Sequence, residues 1–200
     1  MLAYDAKSTV GNSTSNSISW SHTCTGSNRI LFVGIYAQSG TPSGVTYNGV
    51  GMTLIKSTLV TGTSGVLTIQ LWCLINPATG SNTVTVTTSS GGNPTNCSAI
   101  SYSGAKQSAQ PDSSNFTTDI ASGNTTPSTT VVASNCWLIG FAGSDGGSNS
   151  GMTDNQTSRE AANLSSSNYF DFCDSNGTVG TGSQSIAFTS AGNNSGSILA

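Results

Sequence analysis

The chain has one histidine, His22, and one glutamate, Glu160, so the side chains available for acid–base chemistry are few. A Ser-His-Asp or Cys-His arrangement would have to use His22. That residue sits at an alternating position between Trp20 and Cys24, the setting of a packed and satisfied side chain. A glycosidase needs two carboxylates several ångströms apart, one protonated and one ionised. The candidate partners of Glu160, Asp171 and Asp174, follow it in a different strand, and the Glu-x-Asp-x-x-Glu pattern of sandwich-fold glucanases is absent. The expectation is no catalytic residue and no enzymatic activity.

Metal chemistry has slightly more to draw on. Asp145, Asp154 and Asn155 lie in or beside Gly-rich stretches, and loop oxygens are what calcium prefers. They are the candidate calcium ligands, although their spacing fits neither an EF-hand nor an RTX loop and the same residue types serve as turn formers. No other cofactor is expected. The five cysteines, Cys24, Cys73, Cys97, Cys136 and Cys173, include no CxxC pair, which argues against zinc or thioredoxin-like chemistry. Their odd count leaves at least one thiol free. Cys73 alternates with Leu67, Ile69, Leu71 and Ile75 and reads as a small buried hydrophobe. For the rest, buried thiols and at least one disulfide both stay open. Exposed aromatics on sandwich loops can stack on sugar rings, but Trp72, Trp137, Tyr102 and Tyr169 fall in strand-like runs and are expected in the core.

Composition narrows the partners. Charged residues are 6% of the chain and the net charge is −3. Five Lys plus Arg cannot make a phosphate-tracking surface, so nucleic acid is not expected as a partner. The same scarcity argues against an anionic membrane patch, and no apolar run is long enough to span a bilayer. Low net charge with ordinary hydrophobicity is not the signature of disorder. An uncharged, hydroxyl-rich surface suits a protein that stays soluble outside a cell. The start, Met1 to Lys7, lacks the basic and apolar regions of a signal peptide. The expectation is a mature form, or export by another route such as inside a virion. Ile198-Leu199-Ala200 stops in the middle of a strand-like run, so a few further residues are expected after it.

The elements that must position these side chains are strands. Apolar residues recur with period two in short runs separated by Gly, Asn, Ser and Pro, and helical spacing is nowhere sustained. Ile18, Trp20, His22 and Cys24 share one face. Arg29–Ala37, Val66–Ile75 and Cys136–Ala142 read as central strands. Asn48-Gly49 marks a type I′ hairpin, and Asn76 to Gly80 marks a turn into Thr83–Thr88. Further strands are expected at Cys97–Tyr102, Ser128–Val132, Tyr169–Cys173, Ser185–Thr189 and Ser197–Ala200. Ser103–Pro127 reads as a long surface connection with a short strand near Phe116, and Gly143–Gly151 as a loop. Ser27 to Gly34 and Ser134 to Gly140 echo each other, as equivalent strands of two half-motifs would. The fold expected is a single all-β domain over residues 1–200, a two-sheet antiparallel β-sandwich of jelly-roll type.

Four stretches, Ser21 to Arg29, Val45 to Leu54, Asn76 to Gly80, and Ser101 to Gly104 with Gln110-Pro111-Asp112, together resemble one family. It is a group of uncharacterised Ser/Thr/Gly-rich β-sandwich proteins of tailed phages and environmental bacteria, and Asn135-Cys136-Trp137 extends the resemblance into the second half. The resemblance implies a virion or extracellular-surface location and supplies no catalytic residue. The function expected is that of a structural virion protein, such as a capsid decoration, tail or fibre component. It would self-associate or bind other virion proteins through edge strands near Tyr4 and Ile198-Leu199-Ala200. A lectin-like module binding surface glycans and a subunit of an extracellular bacterial filament are the alternatives.

Overall fold

The computed structural model describes every residue except 63, 64, 90–93, 146–151, 166, 167 and 191–193. The chain is all-β, with about 68% of its residues in strands and no helix among those described. The first half contains β1 (Ala3–Ser13), β2 (Ser17–Cys24), β3 (Ile30–Gln38), β4 (Pro42–Tyr47), β5 (Val50–Gly51), β6 (Thr53–Gly62), β7 (Gly65–Ile75), β8 (Gly80–Thr88) and β9 (Thr95–Ser103). The second half contains β10 (Asn115–Asp119), β11 (Ser128–Val131), β12 (Ile139–Asp145), β13 (Met152–Asp154), β14 (Thr157–Ser165), β15 (Asn168–Asp174), β16 (Gly182–Ser185), β17 (Phe188–Ser190) and β18 (Asn194–Leu199).

All pairings are antiparallel, and the strands form three larger sheets and two ribbons where two sheets were expected. The first half makes a five-stranded sheet, β1-β9-β3-β7-β6, and a four-stranded one, β2-β8-β4-β5. The second half makes a five-stranded sheet, β10-β18-β12-β15-β14, with the ribbons β11-β16 and β13-β17. The two halves therefore follow one plan. Each runs edge strand, partner-sheet strand, central strand, partner-sheet strand, then a hairpin, and closes between its edge and central strands. In the second half the long β8 is replaced by two short strands, β16 and β17.

The layers stack four deep, and the reason is written in β3. Its alternate residues Leu31, Val33, Ile35 and Ala37 pack against Ile18, Val45, Tyr47, Val84 and Val86 of the four-stranded sheet. Ile30, Phe32 and Tyr36 point the other way, against Ile139, Phe141, Phe170, Phe172 and Ile198 of the second five-stranded sheet. A strand buried on both faces must be apolar throughout, and the run of buried positions from Ile30 to Ala37 meets that demand. Beyond the second sheet, Ala142, Tyr169, Cys173 and Leu199 pack on Val131, Met152, Ile186 and Phe188 of the ribbon layer.

The two five-stranded sheets approach closely because each central strand carries a glycine at the contact. A Cβ on Gly34 would lie 2.4 Å from the Phe141 ring, and one on Gly143 would lie 2.5 Å from Tyr36. Register makes these glycines equivalent. Ile30 pairs with Ile75, and Ile139 pairs with Asp174, so Phe32-Val33-Gly34 matches Phe141-Ala142-Gly143. The sequence echo, which starts by matching Ser27-Asn28 to Ser134-Asn135, is two residues out of step with this equivalence.

Several expectations change in detail. The strand expected at Cys136–Ala142 begins at Ile139, because Cys136 pairs with Val179 instead. Asp145 lies in that strand rather than in a loop, while 146–151, the rest of the expected loop, fall outside the described residues. Ser185–Thr189 divides between β16 and β17. The segment ending Ile198-Leu199-Ala200 is not an edge. β18 runs between β10 and β12, so its main-chain groups are already engaged and cannot receive another copy. The stretch around Tyr4, by contrast, is the edge strand β1.

Candidate functional site

Four groupings of polar or reactive side chains stand out. The first surrounds His22, which β2 places beneath β1. Ser8 Oγ lies 2.8 Å from His22 Nδ1, and Trp20 Nε1 donates to the same hydroxyl at 2.9 Å. With the indole N–H donating to Ser8, the serine hydrogen goes to Nδ1, leaving the imidazole neutral with its proton on Nε2. Burial favours the same form and lowers His22 to about 4. A triad would also need a carboxylate on the far nitrogen. His22 Nε2 is buried with no hydrogen-bond partner among the described residues. The nearby Asp5 carboxylate accepts instead from Thr25 N (2.8 Å), Thr25 Oγ1 and Ser101 Oγ (2.8 Å). Ser8 and Asp5 belong to β1, of which the sequence pointed only to the stretch around Tyr4, and no spacing signal connects them to His22.

The second grouping lies under the ribbon layer. Asp171 is 1% exposed on the face of β15 that also carries Tyr169 and Cys173. Ser158 donates to its Oδ1 at 2.9 Å, while Oδ2 is buried without a donor. Burial, reinforced by the carboxyl of Asp154 beside it, raises Asp171 to about 8.

The calcium candidates separate among elements. Asp145, at the end of β12, accepts from Gln38 Nε2 at 3.0 Å. Asp154 ends β13, and its Oδ1 accepts from Gln156 N. Asn155 Oδ1 accepts from Ala187 N at 3.0 Å, a long-range contact to the segment between β16 and β17. Among the described residues no three His, Cys, Asp or Glu side chains gather as a metal site. The five cysteines are all free thiols, and Cys73 lies in the core between the five-stranded sheets.

The third grouping ties the halves together. Arg159 donates from Nε and Nη2 to both oxygens of Asp174, at 2.7 and 2.9 Å, and its guanidinium stands 4.4 Å from the centre of the Tyr4 ring. Lys7 of β1 forms a second bridge to Glu160 of β14, at 2.6 Å.

The fourth is a cleft of about 760 Å³ at the open end of the gap between the five-stranded sheets. Its floor is the end of the shared core, where Ile30, Phe32 and Ile139 are buried. Three connections wall it, at residues 104–113, 133–138 and 176–178. Asp112 fixes two of these relative to each other. Its carboxylate accepts from Val132 N at 2.8 Å and Ala133 N at 3.1 Å. Trp137, expected inside a strand, instead lies between the Cys136 bridge and β12, half-buried on the cleft wall. Its ring meets Tyr102 edge-on, with centroids 6.1 Å apart and planes at 76°.

Comparison with protein-family models, curated proteins and solved structures returns no match for this chain. What the protein does must therefore be argued from the arrangement itself.

Proposed function

We propose that this chain is a non-enzymatic structural subunit of a phage virion or a comparable extracellular assembly, built from two jelly-roll halves. The observation that carries the reading is the repeated strand order. In the first half β1-β9-β3-β7 faces β2-β8-β4-β5, and β10-β18-β12-β15 repeats the larger sheet in the second. That is the order of an eight-stranded double Greek key, an architecture that recurs in viral capsid and lectin domains. The turn motifs that resemble β-sandwich proteins of tailed phages point to the same setting. The charge-poor, hydroxyl-rich composition fits a virion or extracellular location, with neither nucleic acid nor membrane as partner.

Self-association would use the β6 edge. This ten-residue strand ends the first five-stranded sheet and exposes Leu54 and Leu59, with Lys56 as its one charge. Natural edges are usually blunted by charge, proline or bulges. β6 has its lysine and a register shift together near its start, at Leu54–Lys56. The stretch beyond them is open to a strand from another copy through main-chain hydrogen bonds. Sedimentation velocity at micromolar concentration tests the reading. Oligomers that fall to the 20.1 kDa species on Leu59→Lys are expected. A wild-type chain that stays monomeric at every concentration would remove the support for it. Electron microscopy of the oligomer separates compact virion-type particles from a filament.

A further inference from the structure

We propose that the cleft at the end of the inter-sheet gap binds a neutral oligosaccharide, with one sugar ring stacked on Trp137. This goes beyond the structural role and does not depend on it. At about 760 Å³ the cleft falls within the range of small-molecule sites. Its composition then restricts the ligand.

Charge comes first. The charged side chains on the lining are Lys106 and Asp112. The Asp112 carboxylate accepts from the main chain of Val132 and Ala133 through Oδ2 alone, so one charged side chain of each sign borders the cleft. A phosphate or carboxylate ligand calls for converging arginines or lysines, and a cationic one calls for free carboxylates. The cleft offers one side chain of each sign and a cluster of neither, which favours an uncharged ligand.

The aromatic wall comes second. Trp137 is half-buried, and among the described residues its indole N–H has no hydrogen-bond partner. Such a ring presents an electron-rich face together with an unused donor. A pyranose is the complementary object, with slightly positive C–H bonds on one face and hydroxyls around its rim. Tyr102 braces the indole edge-on, and the Cys136–Val179 bridge fixes the chain beside it. The ring plane is thus set before ligand arrives, which lowers the ordering cost of binding.

The rim comes third. Gln110 and Asn135 border the cleft on different connections, and no protein group among the described residues occupies their amides. A side-chain amide offers a donor and an acceptor side by side, the pattern that adjacent sugar hydroxyls can satisfy.

The test uses the full chain with a panel of neutral trisaccharides of glucose, mannose, galactose and N-acetylglucosamine, and with sialyllactose as the charged contrast. Binding is read by tryptophan fluorescence and titration calorimetry. At least one neutral trisaccharide is expected to bind with a Kd of about 1 mM or tighter. Trp137→Leu should weaken it by about tenfold or more, and Asn135→Gly by several-fold. Asn135 is exposed and its φ of 64° is one that glycine adopts freely, so the glycine variant keeps the fold, and an unchanged thermal midpoint confirms that. Three results would overturn the proposal: no neutral saccharide binding at about 10 mM, binding of sialyllactose alone, or affinity unchanged in both variants.

Discussion

Tyr102 of β9 donates its phenolic hydrogen to Asp174 of β15 at 2.7 Å, a buried contact that crosses from one five-stranded sheet to the other. The same carboxylate receives Arg159, so one anion serves a donor from each half. Arg159 is itself held in its charged form first by that hydrogen bonding.

Removing either partner has separable consequences. Tyr102→Phe keeps the ring and its edge contacts with Tyr4, Phe32 and Trp137. It should cost about 1–3 kcal/mol, because Asp174 loses one donor but keeps the guanidinium. Asp174→Asn should cost more, about 3–5 kcal/mol, since Arg159 would stay beside the Tyr4 ring without its counter-ion. Urea unfolding of the two variants checks the order. A larger loss in Tyr102→Phe would mean that Arg159 readily finds another partner.

The close approach at Gly34 leads to a second expectation. Gly34→Ala drives a methyl into the Phe141 ring, which is fully buried and has nowhere to move. Overpacking of this kind costs about 1–3 kcal/mol. Phe141→Leu alone should also destabilise by leaving a void. The two changes together should cost less than their sum, because each relieves the other. Thermal melts of the three variants measure that coupling, and strict additivity would mean that the sheets shift apart rather than clash.

Much of this was legible in the residues. Period two gave the strands, the unbroken apolar run of β3 gave a strand buried on both faces, and Asn48 and Gly49 both adopt the positive φ their hairpin requires. β14 and the length of β1 beyond the stretch around Tyr4 were not, for a physical reason. Both are edge strands with one half-open side, so Tyr4, Ala6 and Val10, or Ala161 and Ala162, leave too thin an apolar stripe to count. The stacking of two sandwiches was also hidden, since alternation says that a face is buried and not by which sheet. The site residues depend on that stacking. Tyr102 and Asp174 are 72 residues apart, and only the packed sheets bring them together.

Thiol accessibility offers an independent check of the layers. Cys24, Cys73, Cys97 and Cys173 are at most 3% exposed, and only Cys136 is partly open. Burial raises Cys73 to about 12, so little thiolate forms at neutral pH. An aromatic disulfide reagent should therefore modify one cysteine in the native protein and all five in denaturant. Fast modification of two or more native thiols would be incompatible with this packing.

The pH dependence of stability should carry the marks of Asp171 and His22, and their signs are opposite. Asp171 is at about 8 in the folded protein, first through burial and then through Asp154, against ~3.9 unfolded. Between those values the native state holds a proton that the unfolded chain has lost. Stability therefore falls as pH rises through that window, by at most ~1.4 kcal/mol per unit. His22 is at about 4 folded, through burial, against ~6.5 unfolded. Here the unfolded chain is the better proton acceptor, so stability rises with pH from about 4 to 6.5 and is complete above that. From about pH 4 to 6.5 the two slopes oppose each other, and from about 6.5 to 8 only the Asp171 decline remains. Wild-type stability should therefore be nearly level in mild acid and decline above neutrality. Asp171→Asn keeps an acceptor for Ser158, so it should abolish that decline, and His22→Gln should extend it down toward pH 4. Urea unfolding at half-unit steps from pH 4 to 9 gives the slopes. A decline above pH 6.5 that persists in Asp171→Asn would assign it to another group and leave the buried carboxyl without a role in it.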